Sequence, residues 1–110
     1  MSEPERGRHG NISVNLLRQA GKPDVLTYWF WCPGCESLHR YEADRWQFNG
    51  NFDRPTFTPS LLMNGNQQLH NPTAPRCHLF MTDGKLIFLS DCTHQLAGKT
   101  VDIPPLPEWF

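Results

Sequence analysis

The sequence predicts a mainly β fold, with room for a small α+β variant, in which antiparallel hairpins and sheet surround one zinc site. Three observations predict it. Ten prolines and eight glycines in 110 residues favour turns over long helices. Val25 to Trp31 is aromatic-rich, lacks glycine and proline, and reads as a strand. Cys77 to Asp91 brackets Asp83-Gly84 with two short apolar-rich runs, which is how a hairpin reads.

Length implies one domain, and a chain this short buries only a modest core, so a metal adds usefully to its stability. The net charge of -1 and the scattered lysines and arginines argue against a basic nucleic-acid-binding face. No run approaches the length of a membrane span. Met1 to Gly10 is polar and lacks the apolar segment of a secretory signal. The expected location is therefore the cytosol. In that compartment four cysteines are thiolates on a metal rather than disulfides.

Residues 1–10 read as a flexible arm, 11–103 as the zinc-stabilised domain and 104–110 as a Pro-rich tail. Ile12, Val14 and Leu16 alternate as a short strand, with one helical turn over Leu16 to Ala20 as a competing reading. Gly21-Lys22-Pro23-Asp24 is a turn by composition. Cys32-Pro33-Gly34-Cys35 is a tight turn after the aromatic strand, and Ser37 to Tyr41 returns from it. Asp44 to Phe48 leads to Asn49-Gly50, a favoured two-residue hairpin turn. Asp53 to Pro59 is an extended loop, Ser60 to Met63 a short strand, and Asn64 to Arg76 a polar surface loop. Thr93 to Gly98 is a brief helix or irregular turn. Val101 to Phe110, with Pro104, Pro105 and Pro107, is an extended polyproline-like tail that either folds back or meets a partner.

Zinc takes four N or S ligands tetrahedrally, and a Cys-x-x-Cys on a tight turn supplies two of them locally. Pro33 restricts that turn, Gly34 permits positive φ, and nearby backbone N–H groups can bond the sulfurs. The second pair must come from far along the chain. With Asp83-Gly84 as the turn, Thr82 faces Lys85, Met81 faces Leu86 and Leu79 faces Phe88. Continuing the alternation puts Cys77 opposite Ser90 and Cys92 diagonal to Cys77 on one face. The predicted ligands are therefore Cys32, Cys35, Cys77 and Cys92, with His94 the first substitute, then His39 and His78. His39 also reads as an unremarkable half-buried strand residue. His9 and His70 read as solvated. The bland alternative, four cysteines that only fill a core, leaves the Cys-Pro-Gly-Cys turn unexplained.

Several stretches together resemble a known family: Phe30 to Cys35 with His39, Trp46 to Gly50, Arg54 to Leu61, Cys77-His78, and Asp91 to Gly98. The family comprises small proteins encoded by phages and prophages, sometimes labelled ammonia-monooxygenase-like. The resemblance covers about residues 28 to 104. It implies a phage origin and metal binding, and with that origin the cytoplasm of a host cell as location and association with a virion as a variant; it brings no established activity. Glu36 departs from such knuckles, which commonly have glycine there.

The expected function is that of a zinc-stabilised, phage-encoded binding or accessory protein contacting a host or phage protein, with no catalytic residues. Two alternatives stand beside it. One is a small zinc hydrolase using His78 or His94 with Asp91. The other is a nucleic-acid-binding zinc ribbon. Trp29, Trp31, Trp46, Phe48, Phe52 and Phe57 read as core rather than as a base-stacking platform, because interleaved lysines and arginines are few.

Overall fold

A computed structural model describes residues 3–65 and 74–110. Among them the chain is all β, in two antiparallel sheets with no helix. The first sheet runs β1 (Gly7–His9), β2 (Ile12–Leu17), β3 (Val25–Cys32), β4 (Ser37–Glu42) in sequence order. The second runs β5 (Gln47–Phe48), β6 (Phe57–Met63), β7 (Cys77–Thr82), β8 (Lys85–Phe88), β9 (Thr100–Asp102), also in order. Within each sheet every connection is thus a hairpin or a longer antiparallel return, and the β4–β5 connection passes between the sheets. No helix of the described residues is long and apolar enough to cross a membrane.

Alternation along the strands builds the core. Ile12, Val14, Tyr28, Phe30 and Tyr41 from the first sheet are buried with Phe57, Leu61, Leu79, Met81, Leu86 and Phe88 from the second. Of the aromatics expected in the core, Phe57 is buried here with Trp46, Phe48 and Phe52 packed against it, while Trp29 and Trp31 lie outside the core, because alternation along β3 turns them to the face that meets the tail. Phe57 stacks on Tyr41 with ring centroids 4.2 Å apart and on Phe48 at 4.7 Å. Burial pushes the Tyr41 phenol well above its usual range. The tail folds back: Leu106 is buried, Phe110 packs on Trp29 and Trp109 on Trp31, while Arg8 donates to the carbonyls of Pro107 and Phe110.

The β7–β8 hairpin has the expected register, with Thr82 opposite Lys85, Met81 opposite Leu86 and Leu79 opposite Phe88. Asp83 and Gly84 have φ of 52° and 77°, the left-handed pair that this turn requires. Elsewhere the structure differs from the sequence reading. Gly7–His9 pairs with β2 where a flexible arm was expected, and residues 1–2 lie outside the described residues. No helical turn forms over Leu16 to Ala20. The Asn49-Gly50 hairpin is wider than two residues. Asn49 N donates to Thr56 O, and the Asn49 Oδ1 accepts from the amides of Asn51 and Thr56, so the side chain organises a longer loop. β6 begins at Phe57 rather than Ser60, because buried Phe57 pairs with Met81. A register shift between Phe57 and Leu61 accommodates Pro59, which has no N–H to give. Thr100–Asp102 is a strand where a polyproline-like tail was expected to start. Of the loop expected over 64–76, residues 66–73 lie outside the described residues.

The turn between β3 and β4 holds one strained residue. Cys32 pairs with Ser37, and Glu36 has φ of 53°. A residue with a Cβ costs about 1–2 kcal/mol there. Glycine would avoid that cost while losing about 0.5–1 kcal/mol through unfolded-state entropy. Glu36→Gly should therefore stabilise the fold by up to about 1 kcal/mol, read as a thermal midpoint a few degrees higher. An unchanged or lower midpoint would count against the strain.

A serine, histidine and aspartate beside a candidate metal site

The outer face of the second sheet holds a constellation built by strand alternation. In β7, Cys77, Leu79 and Met81 point into the core, so His78 points outward. Leu62 of β6 lies opposite His78, which places Ser60, two residues earlier, on the same face and diagonal to the imidazole. The Ser60 hydroxyl lies 3.1 Å from His78 Nε2. Beyond β8 the ladder continues for one more bond, Leu89 N to His78 O, and the chain then turns at Ser90-Asp91. That turn brings the Asp91 carboxylate to the other ring nitrogen, with His78 Nδ1 3.1 Å from Oδ2 and 3.2 Å from Oδ1. In the neutral tautomer that fits both contacts, Nδ1–H donates to Asp91 and Nε2 accepts the Ser60 proton.

Neighbouring groups fix these three residues. The His78 amide donates to Cys92 Sγ at 3.2 Å, and Cys92 Sγ donates back to the His78 carbonyl at 3.2 Å. Trp46 Nε1 donates to the Ser60 carbonyl at 3.2 Å. Thr93 N donates to Arg76 O, and Thr93 Oγ1 accepts from Arg76 N, so the segment after Asp91 runs beside the start of β7. A hydroxyl, an imidazole and a carboxylate in this order form the arrangement that acyl-transfer chemistry can use.

On the inner side of the same strand lies a second cluster. Cys32, Cys35, Cys77 and His94 bring one ligand atom each within 4.8 Å of one another, close enough to hold a metal ion. Cys32 Sγ is 3.8 Å from Cys77 Sγ, and His94 Nε2 is 3.4 Å from Cys77 Sγ. The Cys35 amide points at Cys32 Sγ from 3.4 Å, the N–H to sulfur contact expected of the turn. Hydrogen bonds from the Cys35 and Cys77 thiols hold Cys32 well below the usual thiol range. The same contacts push Cys35 up to about 12 and Cys77 higher still. Without a cation, three thiols this close share few charges; a bound cation would relieve that competition.

The expected ligands divide between the two groups. Cys92 is outside the metal cluster, because β8 ends at Phe88 and the turn at Ser90-Asp91 breaks the alternation that would set Cys92 beside Cys77. Its sulfur engages the His78 backbone instead, and His94, two residues on, reaches Cys77. His78 contacts Ser60 and Asp91 rather than the cluster. His39 is buried beside Cys32, whose thiolate it favours, and among the described residues its Nε2 has no hydrogen-bond partner. Gly34 does not use positive φ. A Cβ there would overlap the His94 ring, so close approach is what requires glycine. His9 stacks on Phe52 at 4.4 Å, and His70 lies outside the described residues. Ser60 was missed from sequence because no G-x-S-x-G surrounds it. The signal that finds it is the pairing of Leu62 with His78, a long-range register.

The family model of the bacterial ubiquitination-like system serine protease (BubE) matches residues 2–89. Ser60 and His78 lie inside the match, and Asp91 just past its end. No curated protein and no solved structure matches the chain. The expected role as a phage-encoded binding or accessory protein without catalytic residues is overturned by this match, which points to a protease. Since the match spans most of the sequence, the chain belongs to the family of bacterial ubiquitination-like system serine proteases (BubE).

Proposed function

We propose that this chain is a serine protease in which Ser60 is the nucleophile, His78 the general base and acid, and Asp91 the group that orients the imidazole. The observation that supports it most is the unbroken contact line from Ser60 Oγ through both nitrogens of His78 to Asp91, at 3.1 Å on each side. In the acylation step the Ser60 oxygen attacks the peptide carbonyl carbon while its proton passes to His78 Nε2. The C–N bond then breaks, and His78 returns that proton to the departing amine. Water, deprotonated by the same nitrogen, cleaves the Ser60 ester and regenerates the hydroxyl. Asp91 keeps the proton on Nδ1 and stabilises the imidazolium. On this reading the chain is a protease that works within a bacterial ubiquitination-like system, the setting named in the family's description.

The cluster of Cys32, Cys35, Cys77 and His94 is assigned to one zinc ion with a structural role. Three sulfurs and one imidazole suit zinc. A tetrahedral site with Zn–S of about 2.3 Å has sulfur–sulfur edges of about 3.8 Å, and the Cys32–Cys77 separation is 3.8 Å. Four protein ligands leave no coordination position for substrate or water, so the hydrolytic chemistry falls to the triad. The zinc would hold Cys77 and His94 and thereby set the backbone that carries His78 and Asp91.

Ser60→Ala should lower kcat by about 10⁶ and abolish labelling by a fluorophosphonate probe, and Asp91→Asn should lower kcat by about 10⁴. Peptide hydrolysis by Ser60→Ala at the wild-type rate would rule out the mechanism. The purified protein should contain one zinc per chain by elemental analysis, and stripping it with a chelator should remove the native thermal transition. A transition that survives complete metal removal would exclude the structural role. Cys77→Ala should lose the zinc. Cys92→Ala should keep it while slowing catalysis by about 10²-fold, the scale of a misplaced catalytic group. Loss of zinc in Cys92→Ala would return that residue to the ligand set.

A further inference from the structure

We propose that the free edge of β6 beside Ser60 binds the substrate polypeptide as an added β-strand, with Leu62 as the positioning residue. This rests on the assignment of Ser60 as nucleophile. The ladder registers decide which backbone groups are available. In a two-residue hairpin the flanking pair, Thr82 and Lys85, is hydrogen-bonded, and bonded pairs then alternate. The bond from Leu89 N to His78 O fits that alternation. The even-numbered residues of β7 therefore bond to β8 and the odd-numbered ones to β6. Leu61 lies opposite Leu79 and Met63 opposite Cys77, so both turn their peptide groups toward β7. Leu62, between them, turns its N–H and C=O the other way.

On that other side β5 pairs only with Phe57 and Thr58. The Ser60 carbonyl is occupied by Trp46 Nε1. Among the described residues nothing pairs with Leu62 on that side. An unpaired N–H and C=O on a strand edge are complementary to an extended peptide backbone. The side chain agrees: Leu62 is 52% exposed on the same face as Ser60 and His78, with Phe80 of β7, 37% exposed, further along that face. In the opposite direction along β6, Thr58 and Pro59 line an open cavity of about 990 Å³ walled by Trp46, Phe48 and Phe52. An extended chain hydrogen-bonded to Leu62 is thereby led past the Ser60 hydroxyl toward an aromatic hollow, and leaves the edge of β6 where Trp46 and β5 occupy it from Ser60 to Phe57.

The test uses the wild-type protein and a proteome-derived peptide library. The best-cleaved peptide is resynthesised with single backbone N-methyl groups at each position. The edge predicts at least a tenfold rise in KM at alternate positions on one side of the scissile bond, where methylation removes a ladder hydrogen bond. Uniform tolerance of methylation overturns the proposal. So does a protein that takes the fluorophosphonate on Ser60 yet cleaves no peptide. Absence of fluorophosphonate labelling instead defeats the assignment of Ser60 itself, which separates the two failures. Leu62→Pro removes the outward N–H without removing a β6–β7 bond. It should raise KM more than it lowers kcat, with Leu62→Ala affecting KM less. Equal KM for a folded Leu62→Pro and wild type overturns the proposal, and the methyl scan decides the matter if that variant does not fold.

Discussion

Cys77 and His78 are consecutive residues of one strand, and a pleated strand sends consecutive side chains to opposite faces. The rest of the structure depends on that constraint. Cys77 joins the inner cluster with Cys32, Cys35 and His94, while His78 contacts Ser60 and Asp91 on the outer face. Any force that fixes Cys77 therefore fixes the peptide unit of His78. A metal ion in the cluster would tie β7 to the turn between β3 and β4 and to His94, so the position of the imidazole would be set from the first sheet as well as the second.

The segment from Asp91 to His94 repeats the arrangement from the other side. Asp91 meets the imidazole, Cys92 bonds the amide and carbonyl of His78, Thr93 bonds Arg76, and His94 reaches Cys77. Four consecutive residues thus fasten one irregular segment to the start of β7. A small domain has little buried area with which to hold a loop in place. Local hydrogen bonds replace that area here, a metal ion in the cluster would add a cross-link, and both converge on His78 and Asp91, whose spacing matters most to the proposed acyl transfer.

Much of this was legible in the sequence where the physics is local. The Asp83-Gly84 turn fixes its own register, so the pairs from Thr82–Lys85 to Leu79–Phe88 follow from the turn. Three members of the cluster meet as expected: Cys32 and Cys77 lie on strands that alternation describes, and Cys35 lies on the tight turn that follows Cys32. What failed was the extension of alternation past Phe88, where the turn at Ser90-Asp91 exchanges the roles of Cys92 and His94. Ser60 failed for a different reason. Its contact with His78 depends on β6 pairing with β7 across the intervening 64–76 segment and on a register shift at Pro59, and neither is written in nearby residues.

The exchange at Cys92 and His94 also has a consequence for the chemistry. With Cys92 among the ligands, the cluster would draw the Asp91 side of the loop inward, and the His78 peptide unit would lose the sulfur that bonds both its amide and its carbonyl. With His94 there instead, the loop is anchored one turn later, which leaves Cys92 against His78 and Asp91 free to face the imidazole. Gly34 is what permits this, since any Cβ at that position would overlap the His94 ring. A glycine in the Cys-Pro-Gly-Cys turn is in this way connected, through His94 and Cys92, to the alignment of the His78 imidazole on the opposite face of the sheet.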